Sequence, residues 1–150
     1  MEGRYVLELR DRDPATVEDL VLDGCESAEI EGLSDKLVKL QSLSMVHVGL
    51  QSLKNLPKLP MLSKLDLSDN SIAGGLEHVA DNCPELLHLN LASNKYGATF
   101  ALFYPQTPFN ECIVFRIAKL EDLEPLKKMK LAELDLFNNP VTAGSDGEYR

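Results

Sequence analysis

Apolar positions along this chain follow one recurring pattern, L-x-x-L-x-L-x-x-N-x-L. Leu40, Leu43, Met45, Val48 and Leu50 fill it once, and Leu62, Leu65, Leu67, Asn70 and Ile72 fill it again. Leu86, Leu89, Leu91 and Asn94 begin a further copy, and Leu131, Leu134, Leu136, Asn139 and Val141 complete another. Val17, Leu20, Leu22 and Cys25 form a degenerate first copy, which makes five repeats. In each, the L-x-L core alternates with period two, as a short strand must if one face is buried. The Asn that follows carries an amide able to satisfy backbone groups where the chain turns. One such coil cannot bury its own leucines, so copies must stack and share a parallel sheet, with caps at both ends. The pattern therefore predicts an α/β fold, a leucine-rich repeat solenoid of right-handed coils. Its parallel β-sheet is expected on the concave face, with helices and irregular turns on the convex face.

The segments between strands differ from one another. Leu76, Val79, Ala80 and Cys83 fall at helical spacing, with Gly74-Gly75 before them and Pro84 after, which predicts a helix within 76–86. Residues 55–62 hold two prolines in eight positions and are expected to form only a short turn or an extended return. Tyr5, Val6, Leu9 and Arg10 predict an amphipathic helix over the first coil, and Asp13-Pro14 a second helical start or a turn. Residues 1–16 are thus read as an N-terminal cap.

The strand leucines Leu20, Leu43, Leu65, Leu89 and Leu134 are spaced 23, 22, 24 and 45 apart, and the last interval is anomalous. Six of the nine Phe and Tyr residues lie in 96–116. Removing those 21 residues brings the interval to 24 (45 less 21) and makes Asn94-Lys95-Ile117 match Asn70-Ser71-Ile72. Residues 96–116 are therefore an insertion. Two origins fit it. Its 21 residues correspond to 63 nucleotides (21 times 3), and permitted codons allow excision from GTATGG to TTCAG that restores Lys before Ile117, as for an intron translated in frame. The other is an ordered hairpin or lid on the solenoid edge, with Tyr96 in the core slot Ile117 would otherwise fill.

Composition narrows the class. At 150 residues, 44% hydrophobic and 26% charged, the chain reads as one folded domain (1–150). No signal-peptide run or roughly 20-residue apolar span is present, so an intracellular protein is expected. Cys25, Cys83 and Cys112 have neither paired nor CxxC spacing, which favours free thiols. The net charge of −9 is uneven: residues 1–35 carry 11 acidic and 3 basic groups (−8), 36–120 carry 6 and 8 (+2), and 121–150 carry 7 and 4 (−3). Such a chain repels phosphate backbones and attracts basic partners.

With the repeats placed, their wording resembles the leucine-rich domain of the acidic leucine-rich nuclear phosphoprotein 32 family. The resemblance lies in LSDNSIAGGLEHVADNCPELLHLNLASNK (67–95), SMVHVGLQSLKNLPKLPML (44–62) and LEPLKKMKLAELDLFNNPVT (123–142). LELRDRDPATVEDLVLDGCES (7–27) is similar to that family's capping segment and first repeat. The resemblance covers 1–95 and 117–142. It implies inhibition of protein phosphatase 2A, histone binding that masks histones from acetyltransferases, regulation of apoptosis, and residence in nucleus and cytoplasm. Family members continue into a C-terminal cap and an acidic tail. Here Glu148-Tyr149-Arg150 resembles the start of that cap, so cap and tail are expected to be absent from this chain, which puts the tail-dependent activities in doubt.

Candidate chemistry is sparse. His47, His78 and His88 fall in different repeats without ligand spacing, and no GxSxG, Walker or GxGxxG pattern occurs, so no catalytic residue, metal or cofactor is expected. The outward row of the strands is the candidate site: Asp19, Asp23, Ser44, Asp66, Ser68, His88, Asn90, Glu133, Asp135 and Phe137. Parallel strands align these residues on one surface, where five acids face a single lysine and Phe137 offers an apolar anchor. The expected function is a monomeric, non-enzymatic adaptor. Its expected partners are basic proteins such as histones, and the protein phosphatase 2A catalytic subunit, with no membrane and no direct nucleic-acid binding. A leucine-rich scaffold of a ribonucleoprotein, or a phosphatase regulatory subunit, is the alternative.

Overall fold

The structure, a computed structural model, describes residues 1–94 and 120–142. Five strands, β1 (Asp19–Val21), β2 (Ser42–Ser44), β3 (Lys64–Asp66), β4 (His88–Asn90) and β5 (Glu133–Asp135), form one parallel sheet in chain order, so the chain winds as a solenoid. Leu20, Leu43, Leu65, Leu89 and Leu134 stand in register across it. The first four are at most 2% exposed, and Leu22, Met45, Leu67 and Leu91 behind them are fully buried. Burial of each such side chain stabilises the fold by about 1.5–3 kcal/mol relative to exposure. Leu134 departs from this expectation at 37% exposed. β5 has a strand neighbour on one side only among the described residues, so nothing there covers it as β4 covers β3.

Strands end after three residues because the chain turns inward at a fixed place. The fourth residue after each strand leucine has a left-handed backbone: Gly24 (φ 64°), His47 (55°), Asp69 (54°), Ser93 (56°) and Asn138 (61°). Inter-coil pairing continues through the turn, with Gly24 N donating to Val46 O (2.9 Å), His47 N to Ser68 O (3.2 Å), Asp69 N to Ala92 O (3.0 Å) and Ser93 N to Phe137 O (2.7 Å). Gly24 accepts this conformation at no steric cost, whereas His47, Asp69, Ser93 and Asn138 each hold a side chain in it with some strain, least for His, Asp and Asn.

The next position carries the asparagines. Asn70 Nδ2 donates to Met45 O (2.8 Å), Leu67 O (2.9 Å) and Ser68 O (3.1 Å), while its Oδ1 accepts from the amides of Val48 (3.1 Å), Gly49 (2.9 Å) and Leu50 (3.0 Å). Asn94 repeats the arrangement, its Nδ2 donating to Leu67 O (3.1 Å) and Leu91 O (2.8 Å) and its Oδ1 accepting from Ile72 N (3.0 Å). Asn139 donates to Leu91 O (2.7 Å) and Leu136 O (3.1 Å), but its Oδ1 is buried without a hydrogen-bond partner among the described residues. Each amide thus joins two successive coils and satisfies groups that turn inward, away from water.

Helix α1 (Glu2–Leu9) buries Tyr5 and half-buries Leu9. Val6, expected on its inner face, is 61% exposed, because the helix rests on a stripe narrower than the apolar pattern suggested. Asp13 Oδ1 accepts from Ala15 N (3.0 Å) to start a 3₁₀ turn at Pro14–Thr16. Helix α2 (Leu76–Asn82) buries Leu76 and Val79, with Cys83 buried directly after it. Desolvation pushes the Cys83 thiol up to about 12. Asn82 ties α2 to the extended return 55–62, its Nδ2 donating to Leu56 O and its carbonyl accepting from Leu59 N, both at 2.8 Å. Leu120–Lys128 forms a 3₁₀ run with Pro125, a residue without an amide to donate, inside it. This run packs on α2, and Lys128 beside Asp81 holds that carboxyl below the usual carboxylate range. No helix among the described residues is long and apolar enough to cross a membrane. The 96–116 insertion, Cys112, Ile117 and the Glu148-Tyr149-Arg150 end lie outside the described residues.

Candidate functional site

The candidate residues stand on or just beyond the outward side of the sheet, the face opposite the buried leucines. Their hydrogen bonds divide them. Asp23 Oδ1 accepts from Ser44 Oγ (2.7 Å) and Val46 N (2.8 Å) across the first two coils. Asp66 Oδ1 accepts from Ser68 N (3.0 Å) and Ser68 Oγ (2.7 Å), and its Oδ2 from Asn90 Nδ2 (3.1 Å). Asn90 Oδ1 accepts from Ala92 N (2.9 Å), and Asp135 Oδ1 from Phe137 N (2.8 Å).

The last residue of β3, β4 and β5 therefore does the same thing each time: a short side-chain oxygen reaches forward two positions and satisfies an amide that the ending strand leaves open. Asp and Asn have the length for that turn. This second duty at the turns is not part of the acidic surface expected from the repeat. A regular D-x-[SF] or N-x-A spacing at the strand ends was the available signal. Asp23 and Asp66 are largely engaged within the protein. The side chain of Asp19, exposed on β1, makes no hydrogen bond or ion pair within the described residues, and Asp135 keeps Oδ2 free of any intramolecular hydrogen bond there.

On β4 and β5, His88 Nδ1 lies 3.1 Å from Glu133 Oε2, a charge pair only when the imidazole is protonated. Asp66, His88, Asn90, Glu133 and Asp135, together with Lys64, line a shallow groove of about 380 Å³ across β3, β4 and β5. Half of the ten expected residues are brought together there. Asp19, Asp23 and Ser44 sit toward β1 and β2, outside the groove, while Ser68 and Phe137 lie past the strand ends. Phe137 is 60% exposed. Lys64, absent from the expected site, is the groove's cation, and its place in the same row as His88 and Glu133 was already visible in the repeat. Among the described residues, no group of three or more His, Cys, Asp or Glu is placed to hold a metal ion. No family model matches the chain.

Proposed function

We propose that the chain is a leucine-rich repeat adaptor of the acidic leucine-rich nuclear phosphoprotein 32 type, which binds proteins through the outer, concave face of its sheet and catalyses nothing itself. Basic proteins are the partners the charge favours, core histones and the phosphatase 2A catalytic subunit first among them. Histone masking, phosphatase inhibition, a part in apoptosis, and residence in nucleus and cytoplasm follow from the family resemblance. The observation that carries the reading is the groove over β3, β4 and β5, where Glu133 and Asp135 are exposed beside a 60% exposed Phe137. A large exposed aromatic side chain is what marks an interface over a plain solvated face, and the neighbouring carboxylates supply complementarity to a basic partner. A salt-dependent pull-down with core histones, phosphatase catalytic subunit and RNA as baits tests it. Histones or phosphatase should be retained at low salt and released as screening sets in near physiological ionic strength and above. Retention by RNA alone overturns the reading and favours a ribonucleoprotein scaffold.

A further inference from the structure

Charge is uneven along the groove, whose single lysine stands on β3. Lys64, exposed at the first position of β3, makes no ion pair among the described residues. Two strands away, Glu133 and Asp135 are exposed on β5. Parallel neighbours lie about 4.8 Å apart, so the two ends are separated by about 10 Å. The groups between them are already engaged: His88 on Glu133, and Asn90 between Asp66 and Ala92 N. Asp66 keeps its charge on β3 while it accepts from neutral donors, so the β3 end offers one unpaired cation next to a hydrogen-bonded carboxylate, and the β5 end offers two exposed carboxylates, Asp135 and the Glu133 beside His88.

A uniformly basic segment laid across these strands meets Lys64, and a uniformly acidic one meets Glu133 and Asp135. We infer that the groove takes an extended segment of a partner protein carrying an Arg or Lys against Glu133 and Asp135 and an Asp or Glu against Lys64, with its direction across the sheet set by that polarity. The inference rests on the reading of this face as a protein-binding surface. Side chains two and four residues apart on an extended chain share a face and are about 7 and 13 Å apart, which brackets the span to be covered. Arginine suits the β5 end, since its planar fork pairs with carboxylate and its stem can lie on the exposed ring of Phe137.

The test uses fluorescein-labelled nine-residue Gly/Ser peptides titrated by anisotropy against the full chain. One set carries an Arg and a Glu separated by one or three residues, and a second carries two Arg at the same spacings. The Arg–Glu peptides should bind more tightly than the two-Arg peptides. Lys64→Glu should weaken the Arg–Glu peptides about two- to fivefold, the range expected for an exposed charge pair, and reverse the preference. Glu133→Gln with Asp135→Asn should weaken both sets. Lys64 is exposed, so an unchanged melting temperature and circular dichroism spectrum will accompany the first variant. A native preference for the two-Arg peptides, or an order that Lys64→Glu leaves unaltered, overturns the inference while leaving a cation-binding face in place. Failure of every peptide to bind also overturns it, and the histone and phosphatase baits then report separately on the broader reading.

Discussion

Asn70 donates to three carbonyls and accepts from three amides; Leu67 O and Ser68 O keep Asn94 Nδ2 and His47 N as donors, so replacing it strands four backbone groups, Met45 O and the amides of Val48, Gly49 and Leu50. Asn70→Leu is expected to cost about 3 kcal/mol or more, since each buried group left unpaired costs about 1–3 kcal/mol. Asn139→Leu should cost less, because Asn139 Oδ1 accepts no hydrogen bond among the described residues. Urea denaturation of the two variants measures both, and equal losses would show that the accepting half of the ladder contributes little. Backbone strain acts in the opposite direction at His47, an exposed side chain on a left-handed residue. Relief of about 1–2 kcal/mol of strain, set against about 0.5–1 kcal/mol of glycine entropy, makes His47→Gly stabilising by roughly 0.5 kcal/mol. A lower denaturation midpoint for that variant would show that the imidazole contributes more than its conformation costs.

Helix α1 meets the first coil at Gly32. A Cβ placed there would lie 2.8 Å from Glu2 Cβ and 3.1 Å from Glu2 Cα, so the helix itself would have to move. Gly24 is left-handed too, yet a Cβ there meets nothing within 4 Å. Both Gly→Ala substitutions carry the same backbone penalty of about 1–2 kcal/mol, so their difference isolates the docking of α1. Gly32→Ala is expected to lose more stability than Gly24→Ala, with faster amide exchange in residues 2–9. Equal losses with unchanged exchange would mean that the helix adds nothing to the fold. Tyr5 gives the same element a second handle. Its hydroxyl is buried without a well-formed hydrogen bond among the described residues, and desolvation raises its pKa against a smaller opposing effect of Ser34.

For the molecule as a whole, the interval from Leu89 to Leu134 is the outlier. A chain with Lys95 joined to Ile117 has the coil length of its neighbours (45 less 21, or 24) and places an amide where Ile72 N meets Asn94 Oδ1 one coil earlier. That amide would reach Asn139 Oδ1, which has no hydrogen-bond partner among the described residues. Deleting 96–116 should therefore keep the parallel register and raise the melting temperature by several degrees, the shift expected for about 1 kcal/mol in a domain of this size. A lower melting temperature would show that the 21 residues contribute contacts worth more than the closed coil.

Reading the chain alone placed all five strands, the in-register leucines and the joining asparagines, because period-two alternation and a recurring turn are local and survive in one dimension. It also placed the helix after Gly74-Gly75, from the spacing of Leu76, Val79 and Cys83. The exposure of Val6 and Leu134 escaped it, since each depends on what the neighbouring element covers. The charge of the candidate face escaped it for the same reason. Asp23 meets Ser44 across 21 residues and Asp66 meets Asn90 across 24, and only the stacking of coils decides which carboxylates close turns and which remain open to a partner.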